Sequence, residues 1–310
     1  MHNCGAPDPA KCTRPSCVYT YMNDRHRLVV SAENGAYHAW QCKLFHYSSV
    51  TRLKHQPIFI VHANGRPWHP DFLELIRAGA IVRTSPSYIS HNGIPTRNCP
   101  GSLLEAVPLL RSDEIIVLCD PDLVFVSQVE LPSTLAASYY SYMDYEAPAV
   151  YAAARKLGVG KKMIQDRQPT LVCGTPYIIP VDLATRIGLA WLRAYDCFTI
   201  EGREDSNWMD VMYAFGLALL CLDLPITMFD AVNVDMPSDC MLSRRIIHYG
   251  MGSVSWDKRS YLEDETISKV WNPPFTPAKG TVLYELFSQL RSARQFYQDI
   301  YKFRADSCTY

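Results

Sequence analysis

Short apolar runs alternating with stretches of helical spacing set the pattern of this chain from residue 27 onward. Residues 27–32 (Arg27-Leu28-Val29-Val30-Ser31-Ala32) form a β-rich run that predicts a strand. Asn34 stands where a helix cap belongs, and Tyr37, Trp40, Leu44 and Tyr47 recur behind it at helical spacing. Residues 57–61 predict a second strand and 80–83 a third. A loop with Pro86, Asn92-Gly93, Pro95 and Pro100 leads to a helix expected from near Ser102. Residues 114–119 form a fourth run, apolar on both faces, as suits a central strand covered on both sides. Strands alternating with helical segments predict an α/β fold with a mainly parallel sheet flanked by helices.

The second half is less regular. Residues 171–179 read as a strand kinked at Gly174 and Pro176, and Asp182 can cap a helix running to about Tyr195. Asp205 or Ser206 can cap a further helix with Trp208, Val211, Met212, Phe215 and Leu219 as its core face. Residues 245–249 predict a late strand. From Thr281 a long amphipathic helix is expected to about Phe303, with Leu283, Leu286, Leu290, Tyr297 and Ile300 on one face. Residues 1–25, with Pro7, Pro9 and Pro15, read as an irregular N-terminal segment. There is no internal repeat and no clean linker, so residues 26–310 are expected to form a single domain with a mobile C-terminal part.

Composition narrows the function. The 310 residues are 48% hydrophobic and 20% charged, with a formal net charge of -1 and scattered Lys and Arg, which argues against nucleic acid as a partner. The N-terminus lacks a basic and an apolar signal region, and the apolar run at 211–222 is too short to span a bilayer. The expectation is a soluble chain, cytoplasmic if complete and in the Golgi or ER lumen if an anchor has been removed. Of eleven cysteines, Cys42, Cys119, Cys173 and Cys221 read as small buried hydrophobes. Cys4, Cys12 and Cys17, near His2, match no zinc spacing and leave a disulfide, a zinc site or neither open.

The candidate chemistry begins with Asp120-Pro121-Asp122. Ligands of α/β sheets bind at the carboxyl ends of strands, and two carboxylates there can turn toward one hard divalent cation. The plain alternative is a turn or helix cap. His248 ends an apolar run and is followed by Gly250, Gly252, Lys258 and Arg259, a basic segment that could close over a metal-bound diphosphate; a solvated loop around a structural histidine is the plain alternative. Glu201, Glu204, Asp205 and Asp210 form an acidic stretch, in which Asp210 on the flank of an apolar helix could face a cleft or lie half exposed. There is no phosphate-cradling Gly-rich loop ending in Lys-Ser/Thr, no Gly-x-Ser-x-Gly and no His-Glu-x-x-His.

Over roughly residues 27 to 295 these segments resemble the plant hydroxyproline O-arabinosyltransferases and, more distantly, the peptidyl serine galactosyltransferases. The resemblance is carried by Ala36-Tyr37 with Trp40-Gln41-Cys42-Lys43, by Asn98-Cys99-Pro100, and by Asp120-Pro121-Asp122-Leu123-Val124-Phe125-Val126. It continues through Asp210-Val211-Met212-Tyr213-Ala214-Phe215, Ile246-Ile247-His248-Tyr249, Asp257-Lys258-Arg259-Ser260-Tyr261 and Pro273-Pro274. In that family Glu usually stands at the positions of Asp120 and Asp210, and the stretches 62–97 and 127–170 match poorly. The resemblance implies a GT-A fold, a UDP-sugar donor, Mn²⁺ (or Mg²⁺), a peptide or oligosaccharide acceptor and retention of configuration. It implies Asp122 and His248 as metal ligands, Asp120 on metal or ribose, and Lys258 and Arg259 on the diphosphate. Ser31, Glu33, Tyr37 and Asn98 would lie near the nucleotide, and Asp210, with Asp205, near the reacting sugar. The rival readings are a sugar-nucleotide nucleotidyltransferase, for which residues 31–35 make a poor phosphate loop, and a non-catalytic nucleotide-sugar binding module.

Overall fold

The computed structural model describes residues 19–63, 65–89, 95–198, 208–234, 245–250, 252 and 255–307. The first half contains strand β1 (Tyr19–Tyr21), β2 (His26–Glu33), helix α1 (Ala36–Ser48), β3 (Ile58–His62), α2 (Pro70–Arg77), β4 (Ile81–Ser85), α3 (Asn98–Ala106) and β5 (Ile115–Cys119). There follow β6 (Leu123–Phe125), β7 (Glu130–Pro132), β8 (Ala136–Tyr139), α4 (Pro148–Lys156), α5 (Lys161–Arg167), β9 (Cys173–Pro180) and α6 (Val181–Asp196). The chain then runs through α7 (Asp210–Cys221), β10 (Thr227–Phe229), β11 (Val232–Val234), β12 (Ile246–His248), α8 (Asp264–Val270) and α9 (Val282–Ser307).

The main sheet has the order β10-β8-β9-β5-β2-β3-β4. Strands β5, β2, β3 and β4 run parallel, while β9 is antiparallel to both of its neighbours. The expected mainly parallel sheet is therefore present, with one reversed strand inside it. Side chains alternate across the sheet as a period of two demands. Leu28, Val30 and Ala32 of β2, Phe59 and Val61 of β3, and Val117 of β5 face one core layer with Trp40, Phe45 and Phe287. Val29, Ile60, Ile116 and Leu118 face the other, with Leu103, Trp191 and Phe215. Central strands buried on both faces explain why these runs carry no polar alternation.

Several local expectations change. Asn34 does not cap α1; its side chain instead donates to Pro67 O at 2.8 Å and accepts from His69 N at 2.9 Å, tying the β2 end to a loop. Helix α3 begins at Asn98, ahead of Ser102, because Pro100 sits in a first turn where its missing N–H is not needed. Asp182 lies in the first turn of α6, which Pro180 precedes. Cys221, the last residue of α7, is exposed, whereas Cys42, Cys119 and Cys173 are buried. Residues 19–21, expected to be irregular, pair with β7. The β8–β9 ladder shifts register between Ala137 and Ser138, opposite the Gly174-Pro176 stretch where a kink was expected.

Helix α9 starts where Thr281 Oγ1 accepts from Tyr284 N, and Leu283, Leu286, Leu290 and Tyr297 enter the core beside α1. The run at 211–222 is a buried helix, α7, and among the described residues no helix is long and apolar enough to cross a membrane.

Candidate active site

Strand β5 delivers Asp120 to the carboxyl edge of the sheet, and the chain turns through Pro121 and Asp122 into β6. Strand β12 pairs antiparallel with β6 so that His248 lies opposite Leu123, one residue from Asp122. Tyr249 N donates to Asp122 O at 3.2 Å and closes that corner. Backbone pairing thereby joins residues 126 positions apart in the chain, from Asp122 to His248. One ligand atom from each of Asp120, Asp122 and His248 lies within 4.8 Å of the others.

The hydrogen bonds around His248 decide what this triad can hold. Tyr140 Oη donates its single proton to Thr175 O at 2.6 Å, so it accepts from His248 Nδ1 at 3.0 Å. Nδ1 therefore carries a proton, and Nε2 faces Asp122 Oδ1 at 3.3 Å without hydrogen-bond geometry. Asp122 Oδ1 is buried and has no hydrogen-bond partner. Burial opposes charge on His248, but the Asp122 carboxylate outweighs it and raises the imidazole, so the two atoms meet as an ion pair without a hydrogen bond, beside a second carboxylate. Buried polar atoms are rarely left so. A divalent cation between them would satisfy all three, with Tyr140 orienting the imidazole from behind.

The second oxygen of Asp122 is already occupied. Lys258 opens a tight turn in which Asp257 accepts from Arg259 N at 2.8 Å, and its ammonium ion-pairs with Asp122 Oδ2. Burial opposes ionisation of Asp122, but the Lys258 ammonium and His248 outweigh it and hold the carboxyl well below the usual range. Burial and the adjacent Asp122 charge push Asp120 the other way, up to about 6. Gly252 lies against this turn: a Cβ there would come within 2.2 Å of Asp257 Oδ2. Arg259 makes its ion pair with Asp257 and is not in the wall of the cavity.

A cavity of ≈ 200 Å³ opens over the triad. Ser31, Glu33, Tyr37, Asp120, Asp122, His248 and Lys258 all line it, so the structure brings these sequence candidates together. Asn98 stands behind the wall, donating to Glu33 Oε1 at 2.5 Å and accepting from Tyr88 N at 2.6 Å. Asp210 is buried at the start of α7, where its neighbours Val211 and Met212 reach the cavity. Burial raises the phenol of Tyr195, with the Asp210 carboxylate adding to it, and burial raises that of Tyr213, with Asp144 and then Asp210 adding to it. Asp205, with Glu201 and Glu204, lies outside the described residues.

Further residues in and behind the wall were not read as site residues from the sequence, and Trp208 and Met212, expected on a helix core face, line the cavity, with Trp208 exposed. His62 Nδ1 donates to Pro86 O at 2.7 Å and its Nε2 lies 2.8 Å from Ser102 Oγ, which donates to Ser31 Oγ at 2.9 Å. The relay fixes Ser31 at the cavity wall, yet nothing in the spacing of residues 31, 62 and 102 announces it. Tyr140, Thr175, Tyr177, Met212 and Trp208 complete the far wall. Gly174 makes room there, since a Cβ would lie 2.6 Å from Met212 Cε and 2.8 Å from Tyr140 Cε2.

No protein-family model matches this chain, and no curated protein matches it. Solved structures do. The apo structure of the bifunctional glycosyltransferase WbbM superposes with a TM-score of 0.50 at 12% identity, over 92% of this chain and 53% of that one. The galactosyltransferase LgtC, in complex with donor and acceptor sugar analogues, gives 0.48 at 12% identity, over 86% of this chain and 95% of that one. The apo-form glycosyltransferase GlyE of Streptococcus pneumoniae TIGR4 gives 0.45 at 12% identity, over 92% of this chain and 64% of that one. This chain thus spans about half the length of WbbM. The fold is of the GT-A type: a mostly parallel sheet with flanking helices and an Asp-x-Asp beside a histidine. The three structures are glycosyltransferases, and none of their names points to a hydroxyproline arabinosyltransferase.

Proposed function

We propose that this chain is a divalent-metal-dependent glycosyltransferase that moves a sugar from a UDP-sugar to a hydroxyl of a peptide or glycan acceptor, with retention of configuration. The observation that carries the reading is the unpartnered Asp122 Oδ1, facing His248 Nε2 beside Asp120 at the carboxyl edge of the sheet. Asp120, Asp122 and His248 would hold the cation, and an imidazole in the donor set favours Mn²⁺ over Mg²⁺. When bound, the cation supplies Lewis-acid neutralisation of a diphosphate leaving group.

The chain's own residues do the rest. Lys258 brings a second positive charge to the same cavity, screened little by water because its ion pair with Asp122 is buried. Ser31, Glu33 and Tyr37 form the wall on which the nucleotide would rest, with Asn98 holding Glu33 in place. Arg259 would reach the diphosphate only by leaving Asp257. Asp210 would position and stabilise the reacting sugar, while the leaving phosphate takes the proton of the acceptor hydroxyl. The sequence resemblance leaves the sugar moved open among arabinose, galactose and another pentose or hexose.

The test is UDP release across a panel of UDP-sugars with Mn²⁺. Release from one donor, lost in Asp122→Asn, supports the reading. No release from any donor would leave a binding module as the better account. Turnover of Asp210→Ala equal to that of the unaltered chain would remove the role given to that residue.

A further inference from the structure

The structure assigns Tyr142 and Trp208 as a platform for a sugar ring of the acceptor, an inference that rests on the glycosyltransferase reading and names its acceptor class. An unbroken file of aromatic rings leads outward from the triad. His248 and Tyr140 meet edge to face with centroids 6.0 Å apart, Tyr140 and Tyr142 at 5.6 Å, and Tyr142 and Trp208 at 6.2 Å. The inner members are buried. The outer two are 44% and 49% exposed, and Trp208 also lines the cavity. Large aromatic faces left in water at the rim of a polar cavity mark a place where a ligand covers them.

The surroundings select the ligand. The file leaves the triad from His248, whereas Lys258 approaches Asp122 by its other oxygen, so the charged diphosphate belongs with Lys258 and the aromatic rim with the acceptor. The turn that carries Tyr142 continues through Asp144 and Glu146, both exposed. Carboxylates there repel phosphate and accept hydrogen bonds from hydroxyls. A flat apolar face beside hydroxyl acceptors fits a neutral ring with C–H on one side and O–H around its edge. That is a saccharide, which the platform would present with a hydroxyl toward the metal triad.

Saturation-transfer NMR and titration with methyl β-galactopyranoside and methyl α-arabinofuranoside test this, with a hydroxyproline-containing peptide as a second arm. The expected result is transfer to ring C–H protons of a glycoside, with affinity falling about tenfold in Trp208→Ala, less in Tyr142→Ala, and restored in Trp208→Phe. Unchanged glycoside affinity in Trp208→Ala, no glycoside binding to the unaltered chain, or transfer to the peptide alone would overturn the assignment. UDP titrated with Mn²⁺ on the same samples tests the glycosyltransferase reading by itself. Absent UDP binding would sink that reading, while the glycoside arm still decides whether the platform exists.

Discussion

Among the described residues two lysines sit in low-exposure ion pairs, and their neighbourhoods differ in completeness. Lys43, on α1, pairs with Asp71 at 3.2 Å and Glu74 at 2.5 Å, both on α2, and its ammonium lies 5.0 Å from the ring centroid of Tyr297 and 5.5 Å from that of Trp271. One turn along α1, His46 is held between Tyr297 Oη at 2.8 Å and Gln56 Oε1 at 3.1 Å, which leaves neither ring nitrogen unmatched. This seam joins α1 to α2 and α9, with the Lys43 ammonium and both His46 ring nitrogens partnered. Lys258 covers only one oxygen of Asp122, leaving the other facing a histidine nitrogen across 3.3 Å. Two ammonium groups of similar exposure but unequal surroundings separate a fastening from a binding site: around Lys43 the charges are matched, whereas beside Lys258 a buried carboxylate oxygen has no hydrogen bond.

Perturbing each region sharpens that contrast. The largest effect is expected at Asp122→Asn, which removes the unanswered oxygen's charge; turnover should fall about a thousandfold, with Mn²⁺ affinity by isothermal titration falling in step. The comparison breaks if Mn²⁺ binds that variant as tightly as the unaltered chain.

The seam should respond to acid. Burial lowers His46 to about 4, against its ordinary 6.5, so the unfolded chain binds its proton more readily than the folded one. Stability from this group is whole above pH 6.5 and is lost as pH falls toward 4, by up to about 3 kcal/mol. Thermal unfolding between pH 7.5 and 4.5 should show the loss, and His46→Gln should flatten it. A slope unchanged in the variant would remove His46 as its source.

Third in size is Tyr140→Phe. Without its hydroxyl, the His248 ring loses the partner that sets which nitrogen faces Asp122. Mn²⁺ affinity should drop about 10- to 100-fold, alongside a stability loss of roughly 1–3 kcal/mol because the Thr175 carbonyl also loses its donor. The smallest effect is at Lys43→Met. Its carboxylate partners keep some contact with water, so the cost is roughly 1–2 kcal/mol by denaturant unfolding, and Mn²⁺ affinity should hold. If Lys43→Met weakened Mn²⁺ and left stability alone, the roles assigned to the two lysines would be reversed.

What could be read from the residues alone were features set by local chemistry. The strands at β2, β3 and β5 were visible because apolar runs between turn residues are short-range patterns, and so was the long helix α9. Asp120 and Asp122 stood out because they end such a run. Short elements such as β6, β8, β10 and β11 were not visible, since three or four residues carry no period; they exist because a neighbouring strand pairs with them.

Sequence order determined the mainly parallel α/β sheet, the Asp-x-Asp at the end of a buried strand, and a histidine and a lysine as candidates to join it. Only the tertiary structure decided that His248 meets Asp122 through the β6–β12 pairing, and that Lys258 rather than Arg259 turns inward. It alone placed Asn34 on a loop instead of a helix, and aligned Tyr140, Tyr142 and Trp208 in one file. The division has one physical cause. Periodicity and strand ends depend on a few adjacent residues, whereas a hydrogen bond that sets a tautomer, or a carboxylate oxygen left without one, depends on atoms brought together from distant parts of the chain.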